Sequence, residues 1–178
     1  DQALICYALD IGAKGIIVPM VNSKEEAAHM VSCCKYPLDG VRSAAGMRGE
    51  WGEFEDFNEY KSAVNEQVLI IPMIETLKAL KNLDEIVSVP GIDVLLVGPS
   101  DLSIALDIAF DYDNPLYRET LDRIAEACKK AGVTPAMYFI PAGHDPSEYV
   151  ERGFKFFTYP WNQWAVTGIK NGLAMITR

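Results

Sequence analysis

Histidine is scarce in this chain, which has only two, and positive charge is in deficit. The 16 Lys and Arg face 25 Asp and Glu, for a net charge of -9, and they form no basic stripe interleaved with aromatics. A nucleic-acid partner is therefore not expected, because phosphate recognition needs such a footprint. No apolar run approaches the roughly 20 residues a membrane-crossing helix requires, so no membrane partner is expected either. The four cysteines, Cys6, Cys33, Cys34 and Cys128, contain no CxxC spacing. They read as reduced, cytosolic thiols that fill space in a core. Short-period repeats and low-complexity segments are also missing. The chain opens on Asp1-Gln2-Ala3-Leu4-Ile5 with neither Met nor a visible cap, as if in the middle of a helix. The expectation is a piece of a longer protein.

What is present suffices for one domain over 1–178 with a sizeable core, since 49% of the 178 residues are hydrophobic. The most informative stretch is Val97-Gly98-Pro99-Ser100-Asp101-Leu102-Ser103. It follows Asp93-Val94-Leu95-Leu96-Val97, an apolar run expected to be a strand buried on both faces. Gly98 and Pro99 break that strand and leave Asp101 just past its end. Val68 to Ile74 is a second such strand, followed directly by Glu75-Thr76. Two carboxylates at the carboxyl ends of successive strands lie where α/β barrels carry their chemistry. Two hard oxygen donors suit a divalent cation.

Along the chain, residues 1–11 read as a helix and Gly15 to Met20 as a short buried strand. Ser23 with Glu26 predicts a capping box, and Pro37 ends the helix it opens. Residues 37–66 form an irregular excursion containing Arg42 and Arg48, with a helix expected over 53–64. Strand 68–74, a helix to about residue 88 and strand 93–97 follow. Asn114-Pro115 opens the next helix, with Lys129, Lys130 and Gly132 at its end. Strand 135–140, a short helix from Asp145-Pro146 to Gly153, strand 154–159 and a helix over 163–176 complete the chain. Five strands alternating with helices predict a parallel α/β fold. Either the sheet is open and doubly wound, or the five units belong to an eight-unit barrel whose other three precede Asp1. The apparent mid-helix start favours the barrel.

The motifs Leu9-Asp10-Ile11-Gly12-Ala13, Val18-Pro19-Met20-Val21, Lys35-Tyr36-Pro37, Gly40-Val41-Arg42-Ser43, Ile74-Glu75-Thr76, Pro90-Gly91-Ile92-Asp93 and Gly98 to Ser103 resemble, in order and spacing, the HpcH/HpaI aldolase family. The resemblance runs from about residue 3 to the final helix. It implies a TIM (β/α)8 barrel, of which this chain covers about the last five βα units. It implies a class II, metal-dependent pyruvate aldolase that cleaves a 4-hydroxy-2-oxo acid to pyruvate and an aldehyde through an enolate. The implied cofactor is Mg²⁺ or Mn²⁺, with Co²⁺ as a further option, held by Glu75 and Asp101. The backbone at Gly98 and Ser100 is expected to hold the substrate carboxylate, and Asp10 to support a catalytic histidine. Met73 stands where many members carry a substrate-contacting Gln, and Arg42 is a candidate substrate-binding cation. The implied assembly is a cytoplasmic homo-oligomer, a hexamer that exchanges its last helix. The family's catalytic His and substrate-binding Arg lie on strands that would precede Asp1. Tyr159-Pro160-Trp161-Asn162 departs from the small, glycine-rich turn expected after the last strand.

Each signal has a plainer reading. Glu75 and Asp101 alone equally suit a helix cap and a turn carboxylate. Arg42 and Arg48 equally suit ion pairs with Glu50, Glu53 and Glu55, and Asp10 a helix-end salt bridge. His29 reads as an exposed or packing residue. His144, after strand 135–140, is an alternative base, although a loop histidine near a helix start is the simpler reading. Trp161 and Trp164 read as core or subunit contacts. The competing functions are an oxaloacetate decarboxylase or related lyase using the same enolate chemistry, and an inactive metal-binding subunit.

Overall fold

The computed structural model describes residues 1–47, 50–159 and 161–176. Five strands alternate with helices. They are β1 (Gly15–Val18), β2 (Leu69–Ile74), β3 (Val94–Val97), β4 (Thr134–Met137) and β5 (Phe156–Phe157). Helix α1 is Gln2–Asp10, α2 Lys24–Cys34, α3 Phe57–Gln67, α4 Leu77–Lys81, α5 Leu83–Val87, α6 Pro99–Ala105, α7 Pro115–Ala131, α8 Pro146–Glu151 and α9 Trp161–Ala174. The sheet runs β1-β2-β3-β4-β5 in chain order, and every neighbouring pair is parallel. A doubly wound sheet reverses its strand order at a switch point. This one never does, so the architecture is a parallel α/β half-barrel.

The helix ends follow local chemistry. Ser23 Oγ accepts from the Glu26 amide at 3.3 Å, and the Glu26 carboxylate accepts from the Asn22 amide at 2.6 Å, one residue beyond a standard capping box. Asn114 caps α7, Pro115 opens it, and Gly132 closes it at φ 73°. Asp1 accepts from the Ala3 and Leu4 amides, so α1 is capped after all. The helix expected over 53–64 begins instead at Phe57, because the Asp56 carboxylate accepts from the Asn58 and Glu59 amides. Phe54 stays outside it, edge-on to Tyr60. The helix expected to run to residue 88 is two, α4 and α5, meeting at Asn82. The last two strands end earlier than expected, at Met137 and Phe157.

Alternation along the strands sorts the sheet into two faces. Ile70, Ile74, Leu95, Val97 and Met137 join the large core beneath the helices. Ile71, Met73, Val94, Leu96 and Ala136 form a separate cluster with Phe156 on the other face. Register confirms one level of that inner face, since Met73 pairs with Leu96, Leu96 with Ala136 and Ala136 with Phe156. Barrel interiors are built from such layers. Trp161 and Trp164 are no part of either core, being 76% and 60% exposed on α9. All four thiols are free, and burial pushes Cys34 and Cys128 up to about 12, so both are neutral packing groups at neutral pH.

Candidate active site

Two residues beyond the Met73 level, the same alternation brings Glu75, Gly98, Tyr138 and Thr158 to the inner face at the carboxyl ends of β2 to β5. The ladder continues there, with Gly98 N donating to Ile74 O at 3.4 Å, Tyr138 N to Val97 O at 3.0 Å and Thr158 N to Met137 O at 3.2 Å. Glu75 is buried, at 4% exposure, and its Oε1 accepts the Met20 amide at 2.8 Å. Met20 reaches it from a left-handed backbone, φ 58°, a conformation a bulky residue adopts only when its surroundings impose it. Asn22 imposes it here. Its side chain donates to Met20 O at 2.6 Å and accepts the Thr76 hydroxyl, while Asn82 donates to Asn22 O at 2.8 Å. The exits of β1 and β2 are thus tied together around the Glu75 carboxylate.

Gly98 makes room for that carboxylate. A Cβ on Gly98 would overlap Glu75 Oε2 and come within 3.1 Å of Met73 Cε. Met73 itself, 8% exposed, is the floor beneath Gly98. Asp101 lies in the first turn of α6 and is exposed, rather than in a loop. The Glu75 carboxyl is held above its ordinary range by burial; the Met20 amide opposes this, and the Asp101 charge adds to it. The Gly98 amide, expected to hold a substrate carboxylate, lies 3.4 Å from Ile74 O along the ladder. Ser100, in the first turn of α6, still has an amide without a helical acceptor.

The donor set fits a hard divalent cation. The Asp101 charge acts on the Glu75 carboxylate, and among the described residues neither has an ion-pair partner. No third His, Cys, Asp or Glu among the described residues completes a cluster with them. A cation there would take its remaining ligands from water or substrate oxygens, as Mg²⁺ readily does.

The profile of the HpcH/HpaI aldolase/citrate lyase family matches residues 1–166. The chain belongs to that family. A hydroxypyruvate/pyruvate aldolase from Chromohalobacter salexigens is 34% identical over 163 residues, 88% of this chain and 61% of that protein. A 4-hydroxy-2-oxovalerate aldolase from Rhodococcus jostii is 34% identical over 160 residues, covering 88% and 59%. This HpcH/HpaI chain therefore spans about three fifths of the curated relatives it matches. Among solved structures, an HpcH/HpaI aldolase/citrate lyase family protein from Burkholderia cenocepacia superposes with TM-score 0.83 at 28% identity, over 98% of this chain and 69% of that one.

Other residues singled out in this HpcH/HpaI chain do not gather at Glu75. Asp10 ends α1 and precedes β1, at the opposite end of the strands. Arg42 is 2% exposed, bonds Asp10 at 3.0 Å and stacks on the Tyr36 ring at 4.5 Å. Its amide donates to Lys35 O, placing it after α2 and on the same side as Asp10. Within this chain the pair is not brought to the two carboxylates. Arg48 and Pro160 lie outside the described residues. His144 is turned to the Tyr149 hydroxyl at 3.3 Å and to Asp113 at 4.0 Å. His29 is exposed, with the Cys33 sulfur 3.5 Å from its ring. Asn22 and Asn65 belong to no motif read from the sequence, and Met20 stands there only within Val18-Pro19-Met20-Val21. Asn65 is buried and clamps Tyr36 through both its amide and its carbonyl. Extending the period-two alternation past the strand ends is the signal that would have found Tyr138 and Thr158.

Proposed function

We propose that this chain is the cation- and pyruvate-binding part of a metal-dependent aldolase that cleaves a 4-hydroxy-2-oxo acid to pyruvate and an aldehyde. It supplies about the last five βα units of the barrel over 1–178. The supporting observation is the buried Glu75 carboxylate, for which Gly98 makes room and on which the Asp101 charge acts, with no neutralising partner among the described residues. The named activities of the relatives point the same way. Glu75 and Asp101 would hold the cation. When bound, it supplies positive charge that polarises the 2-oxo oxygen and stabilises the enolate.

In the cleavage, a base takes the proton of the substrate's 4-hydroxyl, the C3–C4 bond breaks, and its electron pair moves to C3. The aldehyde departs, and protonation at C3 gives pyruvate. Glu75 is oriented by the Met20 amide, so its free oxygen stays turned to Gly98. The Ser100 amide at the start of α6 favours the substrate's carboxylate end. Met73 closes the floor and excludes water from below. Asp10 is retained as a positioning carboxylate held by Arg42, and Arg42 as the residue that fixes it rather than one that reaches substrate in the same chain. The exposed apolar side chains of α9, including Ile169 and Leu173, favour assembly with further copies.

The test, run on the chain joined to the barrel's preceding βα units, is pyruvate release from a 4-hydroxy-2-oxo acid, coupled to lactate dehydrogenase, with Mn²⁺ added or removed by chelation. Turnover should require the cation. Asp101→Asn should weaken Mn²⁺ binding by about tenfold or more in titration calorimetry, because it removes one of two charged ligands. Unchanged affinity in that variant would remove Asp101 from the site.

A further inference from the structure

Beyond β4 and β5, the end of the sheet that carries Glu75 opens into a cavity of about 870 Å³. Tyr138, Thr158, Tyr159, Trp161, Asn162 and Trp164 are among its walls. Register gives its position. Met137 pairs with Val97, so Tyr138 stands level with Gly98 on the next strand and Glu75 stands one strand further on. Parallel neighbours lie about 4.8 Å apart, which puts the Tyr138 backbone roughly 10 Å from that of Glu75. Groups attached beyond C4 of a 2-oxo acid held at Glu75 extend over that distance.

The walls are aromatic, and none of the described lining residues is charged. Tyr159 and Trp164 stack with ring centroids 5.0 Å apart. Tyr138 and Trp164 are 49% and 60% exposed in this chain. The Thr158 hydroxyl is already spent on Tyr138 O. A carboxylate entering this space would lose water and gain no cation. An aromatic or apolar chain would instead cover ring faces.

We propose that this cavity receives the aldehyde-derived end of the substrate and selects an uncharged aromatic or extended apolar group over a carboxylate-bearing one, with Tyr138 and Trp164 setting the preference. The inference rests on the aldolase reading, and two separate measurements keep the two apart. Binding is read without chemistry by titrating 2-phenylethanol, an unreactive neutral probe, against tryptophan fluorescence. Trp161 and Trp164 line the cavity while Trp51 is buried elsewhere, so saturable quenching reports this space. Trp164→Phe and Tyr138→Ala should each weaken that binding, and succinate semialdehyde should neither quench nor compete.

Turnover is read as Mn²⁺-dependent condensation of pyruvate with phenylacetaldehyde against succinate semialdehyde. The neutral aldehyde should be favoured about tenfold or more in kcat/KM, within the discrimination apolar pockets achieve, and Tyr138→Arg should narrow or invert the ratio. Absence of Mn²⁺-dependent deuterium exchange into the pyruvate methyl group, with the chain joined to the barrel's preceding βα units, would overturn the aldolase reading, and the fluorescence titration on this chain would then decide the cavity alone. No quenching by 2-phenylethanol, or equal use of the two aldehydes by an exchange-competent protein, would overturn the cavity assignment.

Discussion

Where the strands begin, Arg42 and Asp10 meet at 3.0 Å and the guanidinium is sealed against Tyr36. Where the strands stop, Glu75 and Asp101 carry the same sign, and the Asp101 charge adds to the cost that burial sets on ionising Glu75. Opposite charges close a space by themselves. Like charges without a neutralising side chain among the described residues leave a charge that a bound cation would balance. The first arrangement suits structure and the second suits binding, although both use residues that sequence motifs alone mark as equally notable.

Gly98→Ala should break the contrast most severely. Its Cβ would displace the Glu75 carboxylate, and misplacing a catalytic group by an ångström can cost about a hundredfold. Turnover and Mn²⁺ affinity should both collapse while urea denaturation changes little; retained affinity would show that the carboxylate has another position. Arg42→Ala should act at the other end. Removing one partner of a buried pair costs about 3 kcal/mol, a loss measurable in urea, and Mn²⁺ affinity should persist. Full stability with lost substrate binding would instead return Arg42 to a substrate role.

A third measurement uses pH. The Glu75 carboxyl lies above its ordinary range in the fold, so the unfolded chain gives up this proton first. Its ionisation therefore lowers stability as pH rises from the ordinary carboxylate range through the raised value. Glu75→Gln keeps an acceptor for the Met20 amide and removes this loss. Without divalent cation, the variant's Tm should gain on the parent's between pH 4 and pH 7. With Mn²⁺ present at pH 7 the parent should gain and the variant should not. Parallel pH curves for the two proteins would mean that Glu75 is not under electrostatic stress. The smallest effect is expected from Met73→Gln. An amide in place of a thioether at the floor should shift preference among aldehydes severalfold, an effect of about 1 kcal/mol for one hydrogen bond. An unaltered profile would leave Met73 as packing alone.

Much of the site was legible because its parts are local. Apolar runs ending in Glu75 and in Gly98-Pro99-Ser100-Asp101 mark strand ends directly, and side-chain caps at Ser23, Asn114 and Asp145 mark helix starts. The rest depends on contacts between distant residues. Met20 and Glu75 are 55 positions apart, and nothing in either neighbourhood announces a left-handed methionine presenting its amide to a carboxylate. The excursion over 37–66, irregular in sequence and carrying Arg42 and Arg48, does not announce which end of the strands it joins. Arg42 and Tyr36 tie its first part to the side where the strands begin, through Asp10 and Asn65.

Sequence alone determined the alternation of strands and helices, the ends of most helices and the family, since these follow from periodicity, capping chemistry and motif order within short windows. Only the tertiary structure decided that the strands run in chain order rather than doubling back, that Gly98 is small for the sake of Glu75, and that Asp10 and Arg42 belong to the other end. The reason is geometric. A parallel sheet fixes which residues share a level only once register is set, and register is a property of paired strands rather than of any one of them.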